Sequence, residues 1–92
     1  MKIIYRQHAI QRMFERNISD GDVKIALKSG STIEDYPDDT PYPSRLILGF
    51  SQGKPLHVVY ADNHDSNERI IITVYEPNLV LWDADLKTRK KR

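Results

Sequence analysis

The chain changes character at Ser31, and this break constrains the fold more than any other feature of the sequence. Up to Gly30 the apolar residues recur at helical spacing. Beyond it they alternate in short runs separated by proline-, glycine- and Asx-rich turns. Helical periodicity followed by strand periodicity, without interleaving, is the pattern of an α+β domain. In QHAIQRMFERNIS a rotation of about 100° per residue gathers Ala9, Ile10, Met13, Phe14 and Asn17 on one side. His8, Gln11, Arg12, Glu15 and Arg16 fall on the other. Ser19 then reads as an N-cap, with Asp22 completing a capping box and Ile18 and Val23 at the staple positions. Val23, Ala26 and Leu27 give the second helix its buried stripe, and Gly30 stops it.

After the break, STIEDY forms a short strand and PDDTPYPS a proline-rich loop that no regular element could contain. SRLILGFS, PLHVVYAD and ERIIITVYE follow as strands joined by the polar turns SQGKP and DNHDSN. Turns this short predict an antiparallel meander. The expected architecture is two N-terminal helices packed on one face of a three- to four-stranded antiparallel sheet. Alternation along the last strand assigns Ile70, Ile72 and Val74 to the buried side and Arg69, Ile71, Thr73 and Tyr75 to the other. The same parity predicts that the far side presents Arg45, His57, Arg69, Thr73 and Tyr75 together. Beyond Pro77, NLVLWDADLK suits a short helix or extended packing of Leu79, Leu81 and Trp82.

Ninety-two residues fit one domain, expected over residues 1–86, with a basic tail at 87–92. With 39% hydrophobic and 29% charged residues the balance is that of a soluble domain. No apolar stretch approaches the roughly 18 residues that span a bilayer. The start, MKIIYRQH, holds no apolar h-region, so neither a membrane contact nor standard secretion is expected and a cytoplasmic location is. Cysteine is absent, which excludes disulfides, thiolate metal sites and a cysteine nucleophile. Lys87, Arg89, Lys90, Lys91 and Arg92 supply five of the fourteen basic residues, leaving nine against thirteen acids before them. Such a cationic string is either a solvated end or a contact for something anionic, nucleic acid first.

Cleavage of RNA by its own 2′-hydroxyl needs a base, an acid and cations around the phosphate. Histidine suits the first two roles and the planar arginine fork the third. His8, with Arg12 and Arg16 continuing its row at successive turns, is the leading candidate on the first helix; the same residues also describe a solvated face balanced by Glu15. His57, in a mostly apolar strand, reads equally as a packed histidine, and Thr73 and Tyr75 as ordinary strand formers. The three histidines have no metal-ligand spacing, so neither a metal nor another cofactor is expected.

In order along the chain stand HAIQRMFER at residues 8–16, DVKIALKSG, IEDYPDDTPYP, RLILG, PLHVV at 55–59 and ITVYEP at 72–77. This series resembles a small bacterial domain-of-unknown-function family encoded beside zinc-finger antitoxins of the MqsA type, over residues 5–82. The resemblance implies a fold like that of the barnase, EndoU, colicin and RelE ribonucleases. It also implies a toxin held in check by a cognate antitoxin, cleaving RNA without a metal, in one version messenger RNA at the ribosome. Carried over by motif, His8, His57, Thr73 and Tyr75 become catalytic candidates, and Arg12 and Arg16 phosphate ligands; Arg45 and Arg69 join the ligands by parity. In that scheme Tyr75 or His57 is the second proton-transfer or stacking partner and Thr73 holds a phosphate oxygen. A second reading is a non-catalytic binding or regulatory module that pairs through the edge of STIEDY. A helix-turn-helix DNA reader is disfavoured, because two acids open the second helix where phosphate should approach.

Overall fold

The computed structural model describes residues 1–91. Its elements run β1 (Lys2–Tyr5), α1 (Gln7–Arg16), α2 (Asp20–Ser29), β2 (Ser31–Tyr36), β3 (Ser44–Ser51), β4 (Lys54–Asn63) and β5 (Glu68–Tyr75). The class is α+β, but the sheet corrects the expectation. It has five strands in the order β1-β5-β4-β3-β2 and is mixed, because β1 runs parallel to β5 with Lys2 opposite Glu68 and Tyr5 opposite Ile71. Four residues at the start of the chain therefore close one edge by pairing with the last strand, a contact that no local turn announces.

α1 ends because Asn17 adopts the left-handed conformation (φ 57°) and its amide, with that of Ile18, turns back onto Phe14 and Met13 carbonyls. α2 begins at the expected capping box. The Ser19 hydroxyl accepts from the Asp22 amide at 3.0 Å, and the Asp22 carboxylate accepts from the Ser19 amide at 2.9 Å. The other Asp22 oxygen takes the Ser51 hydroxyl at 2.7 Å, tying the start of α2 to the end of β3. The Tyr5 hydroxyl donates to Asp20, linking β1 to the same helix end.

Both helices cover one face of the sheet. Ala9, Val23 and Ala26 share a core with Ile47, Leu56, Val58, Ile71 and Val74. The approach of α2 to β3 is close enough to demand glycine: a Cβ on Gly49 would lie 2.1 Å from the Ala26 carbonyl oxygen. One on Gly30 would lie 2.9 Å from the same Ala26 carbonyl oxygen, so this glycine, although it ends α2 as expected, does so at φ −69° and is set by space rather than by a left-handed turn.

Two expectations about faces are corrected. α1 buries Ala9 fully and Met13 partly, whereas Ile10 and Phe14 stand exposed, Phe14 at 87%. The helix is rotated by roughly half the angle of a residue step toward the His8 side, which small Ala9 permits by letting the backbone come close. On β5 the buried pair is Ile71 and Val74, not Ile70, Ile72 and Val74. The cause is a β-bulge: Val59 faces Thr73 but Tyr60 faces Ile71, so Ile72 is the extra residue and the alternation reverses there.

Candidate functional site

The bulge divides the predicted far-side group. On the side away from the helices, His57 stands opposite Tyr75, and Val59 opposite Thr73. Arg69 lies before the bulge and so shares the helix side with Ile71, near Lys24, Leu27 and Lys28 of α2. There its guanidinium sits 4.4 Å above the Tyr60 ring and grips Asp62 with two hydrogen bonds, at 2.8 and 3.0 Å. Arg45, opposite Tyr60, follows the parity of Ile47 onto the same side and bonds Asp35 at 2.8 Å. Arg45, paired with Asp35, thus borders a hollow of about 480 Å³ shared with Tyr60, Asp62 and His64, while Arg69, paired with Asp62, lines a separate hollow with Ile3, Lys24, Leu27 and Lys28. They are not grouped with His57, Thr73 and Tyr75.

His57 is fully buried. The Leu86 carbonyl can only accept, so Nε2 carries the proton and donates to it at 2.7 Å. Nδ1 is left to accept the Tyr75 hydroxyl at 3.1 Å. Trp82, 3% exposed, stands edge-on to the imidazole at 4.5 Å, and Tyr75 is edge-on at 5.2 Å. Burial pushes the His57 pKa down and the nearby Arg89 adds to this, against the opposing Leu86 carbonyl. Burial likewise raises the Tyr75 phenol. This is a neutral His–Tyr pair roofed by residues 77–91. Of the residues expected to pack in that segment, Trp82 does so, while Leu79 and Leu81 remain exposed.

His8, Arg12 and Arg16 lie on the other side of the molecule, exposed on α1. None forms an ion pair or side-chain hydrogen bond among the described residues, and Glu15 accepts from Gln11 at 3.2 Å rather than meeting the arginines. At one-turn spacing the three make a row about 12 Å long, an imidazole followed by two guanidinium groups. Charge is segregated around it: residues 1–16 carry Lys2, Arg6, Arg12 and Arg16 against Glu15 alone. Residues 20–39 carry six acids against Lys24 and Lys28. The structure therefore brings together His8, Arg12 and Arg16 in one place, His57, Thr73 and Tyr75 in a second, and Arg45 with Arg69 in a third. What sequence reasoning missed is the roof. Trp82 as the lone tryptophan was its only signal, because Leu86 acts through a backbone carbonyl.

Among the described residues no group of three or more His, Asp or Glu side chains is placed to hold a metal ion, and no helix is long and apolar enough to cross a membrane. Of the basic tail, Arg89 lies 5.0 Å above the Trp82 ring, Lys87, Lys90 and Lys91 are exposed, and Arg92 lies outside the described residues.

Fold and sites define a small α+β domain whose mixed sheet is clad by helices on one face and by its own C-terminal segment on the other. The chain belongs to the family of the domain of unknown function DUF4258, whose model matches residues 5–76. Comparison with curated proteins and with solved structures gives no match.

Proposed function

We propose that this chain is the toxin of a toxin–antitoxin pair and acts on RNA through the outer face of α1. The observation that carries the reading is the row of His8, Arg12 and Arg16, solvent-facing and without internal ion pairs among the described residues, in a stretch, residues 1–16, with four basic residues against one acid. Arginine forks there grip phosphate oxygens, and imidazole at the head of the row takes the proton of the 2′-hydroxyl. The 2′-oxygen bonds to phosphorus as the bond to the 5′-oxygen breaks. The leaving oxygen takes a proton from water, and the products are a 2′,3′-cyclic phosphate and a 5′-hydroxyl. The resemblance to the MqsA-associated family supports the assignment and supplies the antitoxin as partner and the cytoplasm as setting. In this reading Arg45 and Arg69, committed to Asp35 and Asp62, tie neighbouring strands together rather than hold RNA.

The test is cleavage of a labelled RNA by wild type and His8→Ala, with and without EDTA. Removing a general base costs about 10²-fold or more, and EDTA leaves wild-type cleavage unchanged. Equal activity in the two proteins takes His8 out of the mechanism, and loss of activity in EDTA ends the metal-free scheme.

A second reading, a non-catalytic binding module, is favoured by the roofed His57–Tyr75 pair and by β2, an outer strand of the sheet whose far edge carries no partner strand. In that case substitutions along β2 abolish antitoxin binding while His8→Ala and Arg12→Ala change nothing.

A further inference from the structure

Residues 77–91 bond to themselves. Amide-to-carbonyl bonds run from Trp82 to Asn78 (3.1 Å), Asp83 to Thr88 (2.8 Å), Leu86 to Asp83 (2.8 Å) and Lys90 to Leu81 (2.9 Å). The Asn78 side chain takes the amides of Val80 and Leu81, and the Asp85 carboxylate takes those of Lys87 and Thr88 with the Thr88 hydroxyl. Trp82 and Arg89 close the segment as an isolated bridge. Among the described residues its one hydrogen bond to the sheet is His57 Nε2–H to the Leu86 carbonyl. That carbonyl is presented by a residue in the left-handed region, φ 59°, which costs a leucine energy that glycine would not incur. Its one fully buried side chain among the described residues is the indole of Trp82, while Leu79 and Val80 are exposed at 60% and 81%.

A segment that belonged to the sheet would share its ladder and open only when the sheet does. This one has no ladder bond to it, so it can leave with every ladder hydrogen bond of β4 and β5 intact, giving up only the His57–Leu86 bond. Beneath it are the imidazole of His57, held by Leu86 and Trp82, and the Tyr75 phenol bonded to that ring, with Thr73 on the same face of β5.

We propose that residues 77–91 form a strap that lifts from the sheet as a unit, and that its lifting bares His57, Tyr75 and Thr73 as a second, cryptic acid–base site. In the closed state the imidazole has no free nitrogen: one donates to Leu86 and one accepts from Tyr75. In the open state Nε2 is freed, and an imidazole hydrogen-bonded to a phenol faces solvent. Its use on RNA rests on the reading proposed above, to which it would add a group able to protonate the leaving 5′-oxygen; the lifting itself does not depend on that reading.

Native-state hydrogen exchange on the full chain tests the strap, with the amides of Trp82, Asp83, Leu86 and Lys90 as reporters and Val58 and Val74 as references. The expected result is that the four strap amides exchange with one common protection factor at least tenfold below that of the references. Trp82→Ala lowers strap protection a further tenfold or more while the references keep theirs, which also shows that the variant is folded. Modification of His57 by diethylpyrocarbonate accelerates in parallel. Strap amides that exchange only with the references, in both proteins, overturn the proposal. Cleavage of the same RNA is then compared: higher activity in Trp82→Ala supports the RNA use of the bared site. Faster strap exchange with unchanged cleavage retains the strap and removes that use.

Discussion

The close crossing of α2 over β3 makes Gly49→Ala the sharpest test of how this fold is held. The added methyl would sit 2.1 Å from the Ala26 carbonyl oxygen and 2.7 Å from both its carbonyl carbon and its Cα. These are backbone atoms of a helix, so no rotamer change relieves the clash. Reaching ordinary contact near 3.4 Å requires the crossing to widen by about 1.3 Å. Because Val23 and Ala26 reach the core on that same helix, the widening also loosens their packing on Ile47. Overpacking alone costs typically 1–3 kcal/mol, and the coupled loosening places the expected loss at about 3 kcal/mol. At 4–8 °C per kcal/mol for a domain this size, the melting temperature falls by roughly 12–24 °C. Urea unfolding followed by far-ultraviolet circular dichroism measures the loss. Gly53→Ala is the control: its φ is +80° with nothing within 4 Å, so it carries left-handed strain alone, about 1–2 kcal/mol. If Gly49→Ala costs no more than Gly53→Ala, the close crossing is not what makes glycine necessary.

Acidification destabilises the chain through His57. Its native pKa is depressed, so below about pH 6.5 the unfolded chain binds a proton that the folded one does not, and stability falls as pH drops. Burial of the ring sets this sign and the Arg89 charge adds to it, against the Leu86 carbonyl; the other groups facing the ring, the Trp82 indole and the Tyr75 phenol, carry no charge. Urea midpoints should decline between pH 7.5 and 5.5 in wild type and flatten in His57→Gln; equal slopes contradict the assignment. Ser19→Ala removes one half of the capping box and is expected to lower stability by about 1 kcal/mol, read from the same urea curves. A loss below about 0.3 kcal/mol shows that Asp22, held by Ser51, starts α2 without the cap.

Local signals in this sequence carried through to structure where their cause was local. The capping box at Ser19 and Asp22, the strand at Ser31–Tyr36 and the break after Gly30 depend on neighbours within a few residues, and they stand where the residue types put them. Features set by distant contacts did not read. β1 is four residues long and exists by pairing with β5, so the expected antiparallel sheet became mixed. The bulge at Ile72 inserts one residue without any change in the β-branched run, yet it reverses which side Arg69 and Ile71 occupy. That one residue separates Arg69 from Thr73 and Tyr75, with which strict alternation had grouped it. On α1 the apolar stripe was legible but its centre was not, because Phe14 could be placed only by knowing how the helix leans on β5. The His57 environment combines both cases: the strand and its face followed from pattern, whereas the Leu86 carbonyl that fixes the tautomer has no sequence signature.

The salt dependence of RNA binding measures most directly whether the α1 row grips phosphate. Fluorescence anisotropy of a labelled single-stranded RNA, titrated with the full chain from low to moderate salt, gives the slope of log K against log salt. With Arg12→Ala and Arg16→Ala each removing one phosphate contact, the slope should become shallower by about 0.7 per substitution and affinity should weaken on every RNA sequence tested. Slopes and affinities that match wild type in both variants would contradict the claim and leave α1 as a solvated face.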